Sequence, residues 1–231
     1  MYTLGFLLPS GQALDFRVDK AICVGYSGRN QDMVKQHIEE LAHEGIAPPP
    51  SVPMVYPVSD ILVTQNAAID VLGEKTSGEV EFVLLVGPSG TYVTVGSDHT
   101  DRELEAYSIP YAKQATPKPV ATQVWPLDEV IDHWDELELI CEIKGENGWE
   151  TYQKGSISAV LHPNQVVQFV QQNGAFSQLG TVLFCGTVPI SSGSFRFEKH
   201  FRLFLHDPLR ARTIVHEYTV RNVAQHGGEQ E

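Results

Sequence analysis

Residues 78–119 read GEVEFVLLVGPSGTYVTVGSDHTDRELEAYSIPYAKQATPKP. Glu79 and Glu81 alternate with Val80 and Phe82, and residues i and i+2 of a strand share one face. Two carboxylates are therefore set side by side at the start of an apolar run. Like charges so placed resist ionisation together unless a countercharge or a hard divalent cation neutralises them. Gly87-Pro88-Ser89-Gly90 reads as a hairpin turn between two strands, not as a strand-to-helix phosphate cradle. After 16 residues the carboxylate pair is followed by Asp98, which opens a charged knot, Asp98-His99-Thr100-Asp101-Arg102-Glu103. His99 alternates to the face opposite Asp98 and is left out of the ligand set. The stretch ends near Lys113, bracketed by Tyr111, Pro117 and Pro119.

Before this stretch, residues 2–8 and 12–18 read as strands around a Pro9-Ser10-Gly11 turn, and Ala21 to Gly25 as a short buried strand. Residues 31–44 have the period of an amphipathic helix, with Met33 or Val34, Ile38, Leu41 and Ala42 on its apolar side and Gly45 as its stop. Pro48-Pro49-Pro50 forces an extended connection. After it, LELICEIKG and WETYQKGS flank a turn at Glu146-Asn147-Gly148. Gln165 to Gln172 is a second helix, with Asn164 as N-cap. The chain closes with strand-like LGTVLFCGTVPISSG, FEKHFRLFLHDP and ARTIVHEYTV. It is expected to form one domain over 1–231, with N-terminal strands and a helix over about 1–60 and a β core over 61–224.

The 231 residues are 42% hydrophobic, enough for a sizeable core, and 29 acidic against 16 basic side chains give a net charge of −13. That balance argues against nucleic acid or an anionic membrane as a partner. No apolar run reaches membrane-spanning length, and the N-terminus lacks the features of a signal peptide. Cys23, Cys141 and Cys185 are scattered and odd in number, as in reduced, buried thiols of a cytoplasmic protein.

The order E-x-E at Glu79 and Glu81, D-x-T-x-R at Asp98 to Arg102, and then Lys113 before a proline-containing turn resembles the fumarylacetoacetate hydrolase family. CGTVPISSG at residues 185–193 is similar to that family's late Gly-Thr motif. The resemblance covers nearly the whole chain. It implies an α+β, mostly β fold, a β-roll or mixed sandwich with two principal helices. It also implies Mg²⁺ or Mn²⁺ held by Glu79, Glu81 and Asp98, and a homodimer. Glu105 stands where the resemblance leads one to expect a substrate-contacting amide.

The remaining candidates each carry two readings. His37 and Glu40 are i, i+3 neighbours on the first helix. They match a family dyad that activates water, or they form a surface pair. Lys113 stabilises developing negative charge, or lies along the surface. Arg102 clamps a substrate carboxylate, or pairs with Asp101 or Glu103. Thr187 offers an amide and hydroxyl to a substrate oxygen, or is a turn residue. Arg29, in the Gly28-Arg29-Asn30 turn, is a further substrate contact by resemblance. The implied activity is metal-dependent hydrolysis of a C–C bond in a small β-dicarbonyl or 2-oxo acid, such as an acylpyruvate. The alternatives are decarboxylation or isomerisation (tautomerisation) of a 2-oxo acid at the same site, or a catalytically silent binding protein of the same fold.

Overall fold

A computed structural model of the chain describes residues 2–43 and 48–224, without the side chains of His37, Glu40, Leu41 and His43. In chain order, β1 (Tyr2–Leu7), β2 (Ala13–Val18) and β3 (Lys20–Gly25) precede helix α1 (Gln31–His43). Then come β4 (Met54–Val58), β5 (Val63–Thr64), β6 (Ala68–Val71) and β7 (Thr76–Ser77). The long hairpin is β8 (Val80–Gly87) and β9 (Gly90–Ser97). It is followed by β10 (Thr100–Asp101), α2 (Arg102–Tyr107), α3 (Ile109–Gln114), β11 (Lys118–Pro119) and β12 (Trp125–Pro126). The C-terminal part holds β13 (Glu138–Gly145), β14 (Gly148–Ser156), α4 (Pro163–Gln172), β15 (Thr181–Thr187), β16 (His200–Asp207) and β17 (Arg212–Asn222).

Six strands form one sheet in the order β12-β9-β8-β15-β3-β4, and five form a second in the order β14-β13-β16-β17-β6. The period-two phase of β8 sorts its side chains between two cores. Phe82 and Leu84 join β13, β16 and β17 residues such as Leu139, Leu203 and Ile214 in the inter-sheet core. Val83 and Leu85 point to the other face, where the β1–β2 hairpin brings Leu4, Phe6 and Phe16. Glu81 shares the phase of Val83 and Leu85, so its carboxylate lies on the side away from the second sheet. All three cysteines are buried and free. No helix among the described residues is long and apolar enough to cross a membrane.

Helix α1 opens where expected. Asn30 Oδ1 accepts hydrogen bonds from the backbone N–H groups of Asp32 and Met33, which have no partner inside the helix. Met33 is exposed, and Val34 is the residue that packs against Gly28. Gly45 lies outside the described residues. Helix α4 starts two residues earlier than the sequence suggests. Its N-cap is His162, not Asn164: His162 Nδ1 accepts from Asn164 N–H, and Gln165 returns a bond to the His162 backbone. A histidine ring nitrogen replaces the usual side-chain oxygen there, which hides the cap from a composition-based reading. Helices α2 and α3 are six residues each, too short for periodicity to show. Asp101 caps α2 by accepting from Glu103 and Leu104 N–H.

His216 on β17 sits in the wall of the second sheet, and burial pushes its imidazole down to about 4. Its folded value lies below the ordinary value of 6.5, so the unfolded chain binds the extra proton. Its contribution is intact above about pH 6.5 and is lost as the pH falls towards 4, a loss of about 3 kcal/mol. His216→Phe is expected to flatten that part of the stability profile, read from urea midpoints between pH 7 and 4. A profile parallel to the wild type would refute the assignment.

Candidate metal centre

One oxygen from each of Glu79, Glu81 and Asp98 lies within 4.8 Å of the others. The β8–β9 hairpin makes this geometry. Its antiparallel register sets Val80 opposite Ser97 and Glu81 opposite Gly96. Glu79 N–H donates to Ser97 Oγ at 3.0 Å, and Asp98 N–H to the Glu79 carbonyl at 3.1 Å. The two ends of the hairpin are thus tied together where the carboxylates emerge. Glu81 and Asp98 are buried, and Glu79 is half-buried.

Gly96 lets a further strand come close. A Cβ there would lie 2.8 Å from the Pro119 carbonyl, so β11 crosses tightly over β9 and delivers Lys118. Lys118 is fully buried, with Nζ 2.6 Å from the His99 carbonyl, 3.0 Å from Thr116 Oγ1 and 3.1 Å from Asp98 Oδ1. Lys113, from the last turn of α3, donates to Asp98 Oδ2 and lies 3.9 Å from Glu79. Burial alone would raise the Asp98 carboxyl, but Lys113 and then Lys118 outweigh it and hold it well below the carboxylate range. Burial would lower the Lys113 ammonium, and Asp98 and then Glu79 instead hold it well above its ordinary value. Glu81 has no such partner. Burial, then the Asp98 charge, push its carboxyl well up, with Lys113 opposing.

Glu81 Oε2 accepts a hydrogen bond from the Gly186 N–H at 2.9 Å. That donor is aimed by an irregularity in the β8–β15 register between Phe184 and Thr187. Gly186 has φ +119°, and a Cβ on it would meet Ser27 Oγ at 2.0 Å, so only glycine fits.

The residues fit a hard divalent ion. The donor set is all oxygen, which suits Mg²⁺ or Mn²⁺. Asp98 Oδ1 is close to Lys118 Nζ but has no aligned hydrogen-bond donor. Glu81 carries a buried carboxylate in want of positive charge. The half-buried Glu79 leaves the cluster open on one side.

The other expected site residues are distributed differently. Arg102 is drawn into the cluster, but by its own neighbours. Its Nε donates to Ser77 Oγ at 2.7 Å, Nη1 to Glu105 Oε2 at 2.7 Å, and Nη2 lies 3.2 Å from Glu79 Oε1. Neither Asp101 nor Glu103 is its partner. The Thr187 hydroxyl donates to the Val80 carbonyl and accepts from Gln153 Nε2, both at 2.8 Å, so it braces β8 against β14. Arg29 is outside the cluster's contacts. It makes a two-pronged pair with Asp135 at 2.8 Å and donates to the Val160 carbonyl. His37 and Glu40 stand on α1, and their side chains lie outside the described residues. His99 faces away from the ligands, as its phase requires, with Tyr218 Oη at 3.1 Å and Thr76 Oγ1 at 3.0 Å. One contributor had no clear sequence signal, Lys118, whereas Gly186 is the glycine of the Gly-Thr pair noted in the sequence.

Comparisons with known proteins agree with this architecture. No curated protein matches the chain. Among solved structures, the chain is similar to a fumarylacetoacetate hydrolase family protein from Yersinia pestis CO92, at 19% identity and a TM-score of 0.65, over 94% of this chain and all of that one. It is similar to an Escherichia coli protein named as an isomerase, at 16% identity and TM-score 0.62, covering 94% and 99% of the two chains. A 2-keto-3-deoxyarabinonate dehydratase matches at 15% identity and TM-score 0.60, over 91% of this chain and 77% of that one. The fold is therefore that of the fumarylacetoacetate hydrolase family. The profile that matches the sequence itself, over residues 24–218, is "Protein of unknown function (DUF2848)", and this chain belongs to that family.

Proposed function

We propose that this chain is a divalent-metal-dependent enzyme that hydrolyses a C–C bond in a small β-dicarbonyl or 2-oxo acid. The observation that carries the reading is the convergence of Glu79, Glu81 and Asp98 beside a buried lysine. Glu79, Glu81 and Asp98 would hold Mg²⁺ or Mn²⁺. When bound, such an ion supplies Lewis acidity to a chelated pair of substrate oxygens. Lys113, held cationic by Asp98 and Glu79, stabilises negative charge that develops beside it. Gly186 N–H and the Thr187–Gln153 brace keep the Glu81 side of the cluster rigid. In this reading His37, oriented by Glu40, takes the proton from the attacking water.

A second reading keeps the site and drops the hydrolysis. Its support is the range of names among proteins of this fold, one an isomerase and one a dehydratase. Fold does not decide between these chemistries, and decarboxylation or tautomerisation of a 2-oxo acid needs no water-activating base. The experiment is a panel of acylpyruvates and oxaloacetate with Mg²⁺, on the wild type and His37→Ala. Hydrolysis predicts acylpyruvate cleavage and a fall in kcat of about 10²- to 10⁴-fold in the variant. Unchanged turnover in His37→Ala, or decarboxylation alone, would favour the second reading.

A further inference from the structure

Each nitrogen of Arg102 already faces a partner, Nε and Nη1 through hydrogen bonds and Nη2 through an ion-pair contact without an aligned hydrogen bond. Its three nitrogens meet Ser77, Glu105 and Glu79, and its side chain is 6% exposed. The face of the guanidinium is covered as well, by the Phe195 ring at 4.1 Å from Cζ. Phe195 comes from the segment between β15 and β16 and is itself partly exposed. A substrate carboxylate arriving at this arginine would have to displace Glu105, a like charge, from a 2.7 Å contact. A carboxylate clamp on this arginine would therefore have to compete with both Glu79 and Glu105.

The charge balance points the same way. Glu79, Glu81, Asp98 and Glu105 face Lys113, Lys118 and Arg102, a formal −1. A divalent ion brings the site to +1. One carboxylate on the substrate closes this to zero, and a second leaves an uncompensated negative charge in a largely buried site, which is costly. Arg102 engages Oε2 of Glu105, so Oε1 remains as an acceptor, and this side chain is 23% exposed. The Tyr56 ring stands at this end as well, its centroid 5.8 Å from Lys113 Nζ.

We propose that Glu105 sets the substrate preference of this site. It selects a monoanionic 2-oxo or β-dicarbonyl acid whose far end is neutral, apolar or hydroxyl-bearing, and it rejects dicarboxylates. This rests on the metal-enzyme reading above and specifies its substrate class.

The test has two steps. Mn²⁺ uptake by the wild type, Glu105→Gln and Glu105→Asp is first measured from the free Mn²⁺ resonance. Binding of 2-oxopentanoate, 5-hydroxy-2-oxopentanoate and 2-oxopentanedioate to the Mn²⁺-loaded proteins is then measured by calorimetry. The wild type is expected to bind the two monoanions about tenfold or more tighter than the dianion, as one misplaced charge in a partly screened site requires. Glu105→Gln raises the loaded site by one positive charge and is expected to narrow or reverse that ratio by about tenfold. Glu105→Asp keeps the charge and is expected to keep the wild-type order. Mn²⁺ uptake with a wild-type preference for the dianion overturns this proposal alone, whether or not the glutamine variant folds. So does an unchanged ratio in Glu105→Gln. Absence of Mn²⁺ uptake by the wild type overturns the metal reading and this proposal with it.

Discussion

Replacing Asp98 with asparagine is expected to abolish divalent-ion binding and to lower the stability of the ion-free protein by about 3–5 kcal/mol. Asparagine preserves the shape of the side chain, so the loss comes from charge. Asp98 is the shared counter-ion of Lys113 and Lys118, which are 8% and 0% exposed at their side chains. Without it, Lys118 is left with only the His99 carbonyl and the Thr116 hydroxyl as acceptors. Lys113 keeps only the more distant Glu79. A buried ammonium stripped of its partner either stays charged at a large desolvation cost or gives up its proton, and both routes penalise the folded state. Urea unfolding of the metal-stripped wild type and variant at pH 7 measures the difference. A shift under about 1 kcal/mol, typical of an exposed ion pair, would show that the two lysines do not depend on Asp98.

Glu81→Gln is expected to act with the opposite sign on the same ion-free protein. Glu81 is buried, lies beside the Asp98 charge and accepts one backbone hydrogen bond. Its carboxylate is a liability until a cation arrives. The amide keeps an oxygen for the Gly186 N–H and removes the charge, so the metal-stripped variant should be as stable as the wild type or more so, by about 1 kcal/mol. What it loses is the gain from ligand. A site loaded at 100 times its dissociation constant stabilises the wild type by about 2.7 kcal/mol, and the variant should show almost none of this. Thermal unfolding with and without excess Mn²⁺ reads both effects. A metal-dependent upshift of equal size in the two proteins would remove Glu81 from the ligand set. The contrast between the two substitutions is itself diagnostic. Both replace one carboxyl group of one cluster with an amide, yet only the paired carboxylate should be missed when the ion is absent.

Much of this centre could be read from residues 78–119 because strand phase is a local property. Glu79 and Glu81 share a face by counting. The turn at Pro88 and Ser89 folds the chain back with the register that returns Asp98 to them. The two eight-residue strands of that hairpin need nothing from the rest of the chain. Lys118 was illegible for the converse reason. Between two prolines it reads as part of an extended connector, and its burial depends on β11 pairing with β5 and on the missing side chain of Gly96. Arg102 was legible as a charged group near the site but not in its allegiance. Glu105 lies one turn along α2, and α2 has only six residues, below the length at which a helical period can be seen. Arg29 turned to Asp135, more than a hundred positions away in the chain, which no local pattern encodes. His162 usurped the capping role of Asn164 because a ring nitrogen can accept a hydrogen bond in the same place as a hydroxyl or amide oxygen.

The hairpin that carries the three carboxylates also fixes when they meet. Glu79 to Asp98 is one continuous segment closed by a tight turn at Pro88 and Ser89. Its closure is a microsecond-scale event with little loop entropy to overcome. The pairing of β15 with β8 bridges about a hundred residues of chain and must come later in the conformational search. The three carboxylates are therefore expected to gather before Gly186 arrives to support them. A chain folding in the presence of a hard cation has its ligands assembled while the surrounding sheet is still open to solvent, so the ion is available as a template for the final docking and need not find a finished, narrow entrance.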